Sequence, residues 1–388
     1  METPEKGSII SGIGISRIGR RTGIGALELT LESCGKALRD AGLEPSDIDG
    51  VASLGDTAPF EAANALGISA QYWGGGFDTG GLLSPVMSAS VAAGGGHARH
   101  VLVYRTVQMI GGSMLDSGSS EGGGGGEGLV HLARVMVDVD ELIAAHAYSA
   151  VNWLALTCRR HMQIYGTTKE QLGWLAISSR QKAGLNPDAV YRQPMTMDDY
   201  LSARPISSPL GLLDCDVPVD GSIAVVVSTG AYSSDCPNPP VRVEAIGGSD
   251  AGGGWFHRPD YPNMASVEAA KQMWGRTDLK PSDVDLAELY DGFTFLTFAW
   301  LEALGLCKTG ESGPFIEGGT RIALDGELPL NTYGGQLSAG RMHGYWVLHE
   351  ACLQLRRGAG ERQVKRPAKV AVVANGGGPI AGCMLLTV

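Results

Sequence analysis

Pro45-Ser46-Asp47-Ile48-Asp49 returns in the chain as Pro281-Ser282-Asp283-Val284-Asp285, and its neighbours return with it. Each copy follows a stretch with helical apolar spacing, 25–43 in the first case and 264–279 in the second. Each leads into a short apolar run that reads as a strand. Pro-Ser-Asp alone is a good helix cap, but capping does not account for matching context on both sides. The repeat predicts that one supersecondary unit occurs twice.

The rest of the pattern fits a duplication. Residues 8–15, 97–108 and 221–232 read as strands of a first unit, with helices over 25–43 and 82–96. Residues 368–378 and 381–388 read as strands of a second, with helices over 264–279 and 344–358. The β-α-β-α-β order predicts an α/β fold with a mostly parallel sheet. Between the units, 111–210 opens on a glycine-rich loop and then reads as a mainly helical insertion. The expected divisions are 1–110 for the first half, 111–210 for the inserted loop domain, 211–235 for the closing strand of the first half, and 236–388 for the second half.

Composition narrows the function classes. The net charge is −11, and no five like charges run together. Nucleic acid wants a basic face and an anionic membrane wants a polybasic segment, so neither partner is expected. The apolar run 293–307 is short and carries Glu302, which predicts a buried helix rather than a membrane span. The opening residues show no signal-peptide pattern. The seven cysteines are scattered without a CxxC pair, which predicts reduced thiols, a cytoplasmic setting and no structural zinc. The Gly12–Gly19 stretch fails the dinucleotide pattern, because its third glycine position is Arg17. No Lys-Ser/Thr follows the glycines of 122–128, so a phosphate cradle is not expected there. His343 and His349 stand six residues apart, which is not a metal-ligand spacing.

The motifs carry a resemblance. The stretch 161–228, Glu288-Leu289-Tyr290-Asp291-Gly292-Phe293-Thr294, the Asn331–Gly340 loop and the glycines after Asn375 resemble, in order, the sterol-carrier-protein-type branch of the thiolase superfamily. The resemblance implies a thiolase fold: two duplicated βαβαβ halves with an inserted loop domain. It also implies an acyl-CoA substrate and no further cofactor, the CoA thioester being the substrate itself. The thiolase cysteines are not kept: Thr79 and Ala374 stand in their places. Arg341 stands at the family's histidine, and Tyr290 stands at the residue before the acidic-aromatic pair.

Acyl-enzyme chemistry needs a thiolate and a base, so ordinary thiolysis is not expected. Backbone N–H groups at Thr79 and Gly376 match the family's oxyanion hole, and Asp291 stands beside them as a substrate-side residue. Such a site suits a retro-aldol cleavage, and the sequence is similar to the steroid side-chain aldolases of this superfamily. Those enzymes use two tyrosines and work with a small partner of zinc-ribbon and OB-fold type. The first tyrosine corresponds to Tyr290 and the second position to Arg341, with His343 and Tyr345 next in the same loop and Tyr333 further off. Arg341 is expected to favour the Tyr290 phenolate, and His343 to serve as a base near neutral pH. A homodimer is expected. The alternatives are a thiolase or acyltransferase using a displaced nucleophile such as Cys215 or Cys307, and a non-catalytic acyl-CoA-binding subunit.

Overall fold

The computed structural model describes residues 3–75, 81–109, 138–249 and 254–388. The strands are β1 (Ser8–Ile15), β2 (Gly50–Ser53), β3 (Tyr72–Gly75), β4 (His100–Gln108), β5 (Pro205–Ser207), β6 (Leu210–Gly211), β7 (Asp220–Thr229), β8 (Val241–Ser249), β9 (Leu286–Leu289), β10 (Val370–Gly377) and β11 (Ile380–Thr387). Nine of them form one sheet in the order β3-β2-β4-β7-β1-β8-β11-β10-β9, and β5 and β6 make a separate hairpin.

Read outward from its middle, that order repeats itself. β1, β7, β4 and β2 follow one another toward one edge; β8, β11, β10 and β9 follow one another toward the opposite edge. Both Pro-Ser-Asp phrases form a single 3-10 turn, closed by the side chain of Asp47 or Asp283. Each turn leads straight into the short strand, β2 or β9, that pairs in parallel with the next long strand. The repeated phrase therefore occupies equivalent places in two copies of one unit.

The expectation of a mostly parallel sheet is corrected. Only β2–β3, β2–β4 and β9–β10 are parallel. The long central pairs β1–β7, β4–β7, β10–β11, β8–β11 and β1–β8 are antiparallel. The reason is that each unit closes on a returning strand, β7 or β11. A strand buried on both faces is a plain apolar run in either direction, and such a run does not encode polarity.

The two half-sheets meet over a short seam, with β1 and β8 paired only at Ile9–Arg242 and Ile10–Val241. Helices Ser84–Gly94 and Tyr345–Leu355 lie in a core shared with strands of both halves. Tyr345–Leu355 is buried at every residue but Leu353, with its buried Glu350 paired to Arg362 at 3.0 Å. Helix Ala26–Ala41 covers the outer face of the first half. On the second half, helices Ser266–Trp274 and Thr294–Ala303 pack with Ala150–Tyr165 and Lys169–Ala183 of the insertion. The segment 293–307 is thus a buried helix over Thr294–Ala303. Among the described residues no helix is long and apolar enough to cross a membrane.

Candidate active site

The carboxyl ends of parallel strands are where open α/β sheets gather ligands, and here β9 and β4 supply such ends. β9 stops at Leu289, and the Tyr290 N–H donates to the Ala374 carbonyl of β10 at 2.9 Å. That bond holds Tyr290 against the position where the family resemblance expects a cysteine. The ring folds back over Gly292, where a Cβ would lie 2.7 Å from the Tyr290 hydroxyl oxygen. The glycine of the Tyr-Asp-Gly motif is therefore required by close approach.

Two links fasten the segment that follows the insertion to this turn. The Asp216 N–H donates to the Gly292 carbonyl at 3.1 Å, and Cys215 bridges Phe293. One step away, the buried Asp214 accepts from the Thr294 hydroxyl at 2.8 Å and the Gly211 N–H at 2.6 Å. It also accepts from the Tyr200 hydroxyl and the Lys169 ammonium. Asp216 itself turns inward, 3.6 Å from an Nη of Arg341. Burial pushes its carboxyl up to about 6 against the opposing pull of Arg341.

The loop 341–345 supplies the other wall. Arg341 is half-buried; its N–H donates to the Val217 carbonyl at 2.7 Å and its Nε lies 3.2 Å from Met109 Sδ. His343 holds a left-handed backbone at φ 46°, which is uncommon for a residue other than glycine. Its carbonyl accepts from Asn375 Nδ2 at 2.6 Å, and its ring Nδ1 accepts from an Nη of Arg105. Tyr345 opens the buried central helix, and its hydroxyl has no hydrogen-bond partner among the described residues.

Arg105 comes from β4 of the first half and was not foreseen from the sequence. It is almost fully buried, and its charge acts on Tyr290, Arg341 and Tyr345 as well as on His343. Burial pushes it down to about 10, so it remains a cation at neutral pH. The available signal was one arginine inside the apolar run His100–Gln108; a buried charge needs a partner or a task. Asp216 was the second omission.

Several expectations change here. Tyr290 is not held as a phenolate. Burial and then Asp216 raise it above the ordinary phenol range, outweighing the downward pull of Arg341 and Arg105. His343 is not poised near neutral pH, because burial, Arg105 and Arg341 all push it well below its ordinary value. Asp291 faces away from the reacting groups. It accepts from the Gln336 N–H at 2.8 Å and the Tyr333 hydroxyl at 3.4 Å, and burial pushes it up to about 7. It anchors the 333–337 loop, and Tyr333 is fully buried with it, stacked on Trp346. The Gly376 N–H already donates to Asn375 Oδ1 at 2.6 Å, so that donor is occupied. Thr79 lies outside the described residues. No group of metal ligands occurs among the described residues.

The thiols have their own answer. Cys215 and Cys307 are both pushed up to about 12, chiefly by burial. The other five cysteines are likewise held above the ordinary thiol range. A nucleophilic cysteine needs its thiolate, and these surroundings disfavour it.

Residues 252–386 match the family described as thiolase C-terminal domain-like. Over 97% of its length the chain is 34% identical to a steroid side-chain-cleaving aldolase of Thermomonospora curvata, covering 97% of that protein. The chain belongs to the thiolase superfamily. A second relative of this thiolase-fold chain is the 17-hydroxy-3-oxo-4-pregnene-20-carboxyl-CoA lyase of Mycobacterium tuberculosis, 33% identical over 97% of this chain and 98% of that one. The solved structure named Ltp2-ChsH2(DUF35) aldolase superposes with a TM-score of 0.86 at 28% identity, covering 100% of this chain and 99% of that chain.

Proposed function

We propose that the protein is a thiolase-fold carbon–carbon lyase that cleaves a 3-hydroxyacyl-CoA by a retro-aldol reaction. A base removes the hydroxyl proton, and the oxygen becomes a carbonyl as the α–β bond breaks. The electron pair of that bond passes to the thioester as an enolate, which is protonated at the α carbon. Atoms and charge balance without an added nucleophile, oxidant or metal.

The observation that carries this reading is what stands where a thiolase keeps its thiol. There Ala374 offers no thiol; beside it stands the neutral phenol of Tyr290, whose backbone N–H donates to the Ala374 carbonyl and whose ring hydroxyl feels the charges of Asp216 and two guanidinium groups. Asp216 suits the base and Tyr290 the acid that protonates the enolate carbon. Arg105 and Arg341 suit the negative charge that develops between the two steps, and charges fixed in advance stabilise such a state most. The relatives named as aldolase and lyase support a steroid side chain as the acyl group. The second protein in the name of the solved aldolase supports a small partner subunit, and we place a homodimer at the centre of that assembly.

Cofactor demand tests the reading. Aldol cleavage consumes no free CoA, whereas thiolysis requires it. The purified protein, with a DUF35-type partner supplied, is expected to convert a 3-hydroxyacyl-CoA to a carbonyl compound and a shortened acyl-CoA without added CoA. Iodoacetamide should leave that rate intact. Strict dependence on free CoA, or an acyl group trapped on Cys215 or Cys307, would overturn it in favour of acyl transfer.

A further inference from the structure

Beyond the seam at Ile10 the β8 side of β1 meets no described strand, yet β1 runs on to Ile15. Side chains take the place of a strand there. Arg356 Nη2 donates to the Ile10 and Ser11 carbonyls, each at 3.1 Å, and Lys36 Nζ donates to the Ile15 carbonyl at 2.7 Å. Asp40 Oδ2 accepts from the Ile13 N–H at 2.9 Å. These three side chains line a cavity of about 320 Å³ together with His349 and Leu353 of helix Tyr345–Leu355. Tyr290, Asp216, Arg341 and Arg105 do not line it. We propose that this cavity is a binding site for a short-chain monocarboxylate, separate from the cleavage site, with the carboxylate held by Lys36, Arg356 and His349 and the alkyl chain lying on Ile13, Ile15 and Leu353. Such a site is independent of the retro-aldol reading.

Donors outnumber acceptors around the cavity. A guanidinium has five N–H donors, and Arg356 uses four of them, on Pro239, Asp40, Ile10 and Ser11. An ammonium has three, and Lys36 uses two, on Ile15 and Glu32. The Asp40 oxygens are already engaged: Oδ2 also accepts from Arg356 at 2.7 Å, and Oδ1 accepts from Asn238 Nδ2 at 2.8 Å. His349 adds a further donor. It is 6% exposed; its Nδ1 is sealed without a hydrogen-bond partner, and its Nε2 is neither sealed nor partnered among the described residues. Burial, and then Arg362, Arg356 and Lys36, push the ring down to about 3, so at neutral pH it is uncharged and carries one N–H.

The charges acting on that ring are all positive. Spare donors in a positive field select an acceptor-only anion, and a carboxylate is one. A carboxylate oxygen against Nε2 draws the ring proton to that nitrogen. Asp40 and Glu32 stand beside the two cations, which suits one negative charge and not the two of a phosphate ester. Ile13, Ile15, Pro239 and Leu353 make the rest of the wall apolar, which suits an alkyl chain.

Butyrate is the probe, and butyramide its uncharged counterpart of the same shape. Titration calorimetry of the wild-type protein at neutral pH is expected to give a Kd of about 1 mM for butyrate, ordinary for so small a ligand, and no binding of butyramide. Lys36→Met keeps the stem and removes the ammonium; it should weaken butyrate roughly 10-fold or more. Leu353→Trp fills the cavity from a half-buried position and should abolish binding. An excess of acyl-CoA should leave the butyrate Kd unchanged. Absence of butyrate binding, equal binding of butyramide, unchanged affinity in either variant, or displacement by acyl-CoA would each overturn the proposal; displacement would place butyrate in the cleavage site. Should a variant fail to fold, the two probes and the competition still decide. Butyrate bound as expected by a protein that cleaves no 3-hydroxyacyl-CoA would tell against the retro-aldol reading and leave the carboxylate site standing.

Discussion

Burial pushes Tyr290 and Asp216 in the same direction, upward, and the consequences are opposite. For Asp216 the shift to about 6 makes a carboxylate that is ionised at neutral pH yet basic enough to accept a proton. For Tyr290 the shift keeps the phenol protonated. Tyr290→Phe retains the ring and deletes the proton, so steady-state cleavage should fall roughly 100-fold or more. Calorimetric binding of the product acyl-CoA should change little, and near-wild-type turnover would remove Tyr290 from the reaction. The pH profile follows from the same two groups. Below about 6 Asp216 is protonated and cannot act as a base, so kcat/KM should rise with pH through about 6. Arg341 holds that value down; Arg341→Gln should therefore move the acid limb to higher pH. A limb that stays in place would show that it belongs to another group. Tyr290, Arg341, His343 and Tyr345 were legible in the sequence because they stand in ordered local motifs. Asp216 was not. It is one of three aspartates in Asp214–Asp220, and nothing local says that Asp214 pins the insertion, Asp220 accepts from the Thr22 N–H at 2.9 Å, and only Asp216 meets Arg341.

At the scale of elements, both halves use the same packing device. In β1 a Cβ on Gly12 would lie 2.2 Å from the Ala37 carbonyl of the covering helix. In β8 a Cβ on Gly247 would lie 2.0 Å from the Ala269 carbonyl of the equivalent helix. The helix backbones thus rest directly on the first strand of each unit. Gly247→Ala should destabilise the fold by about 1–3 kcal/mol through overpacking. Gly35→Ala, in the middle of helix Ala26–Ala41 and nearest only to the flexible Arg39 side chain at 3.4 Å, should instead stabilise it by about 0.5–1 kcal/mol. Chemical denaturation of the two variants checks the sign of each. The duplication was legible from the repeated phrase, and most long strands and helices from their periodicity. Strand direction was not, and neither was β3. Tyr72-Trp73-Gly74-Gly75 is too short and too glycine-rich to show alternation, and only its parallel pairing with β2 makes it a strand.

For the whole molecule, β3 matters because of where it stops. It is the edge of the nine-stranded sheet, paired with β2 on one side and with no described strand on the other. An open edge is a template for another strand. Trp73 on β3 is 49% exposed, Phe60 64% and Val91 40%, so apolar surface accompanies the unpaired backbone. A two-fold axis through the edge would set β3 antiparallel to its own copy and bury the same patch from both sides, the commonest symmetry among oligomers. The wild-type protein is therefore expected to be a dimer at micromolar concentration by sedimentation equilibrium. Trp73→Lys would remove apolar contact and set like charges near one another across the axis. It should weaken the dimer at least 10-fold, an energy of about 1.4 kcal/mol, and leave the fold intact by circular dichroism, because the side chain is already half in solvent. A wild-type monomer at micromolar concentration, or a Trp73→Lys dimer of unchanged strength, would mean that the β3 edge is not where two copies meet.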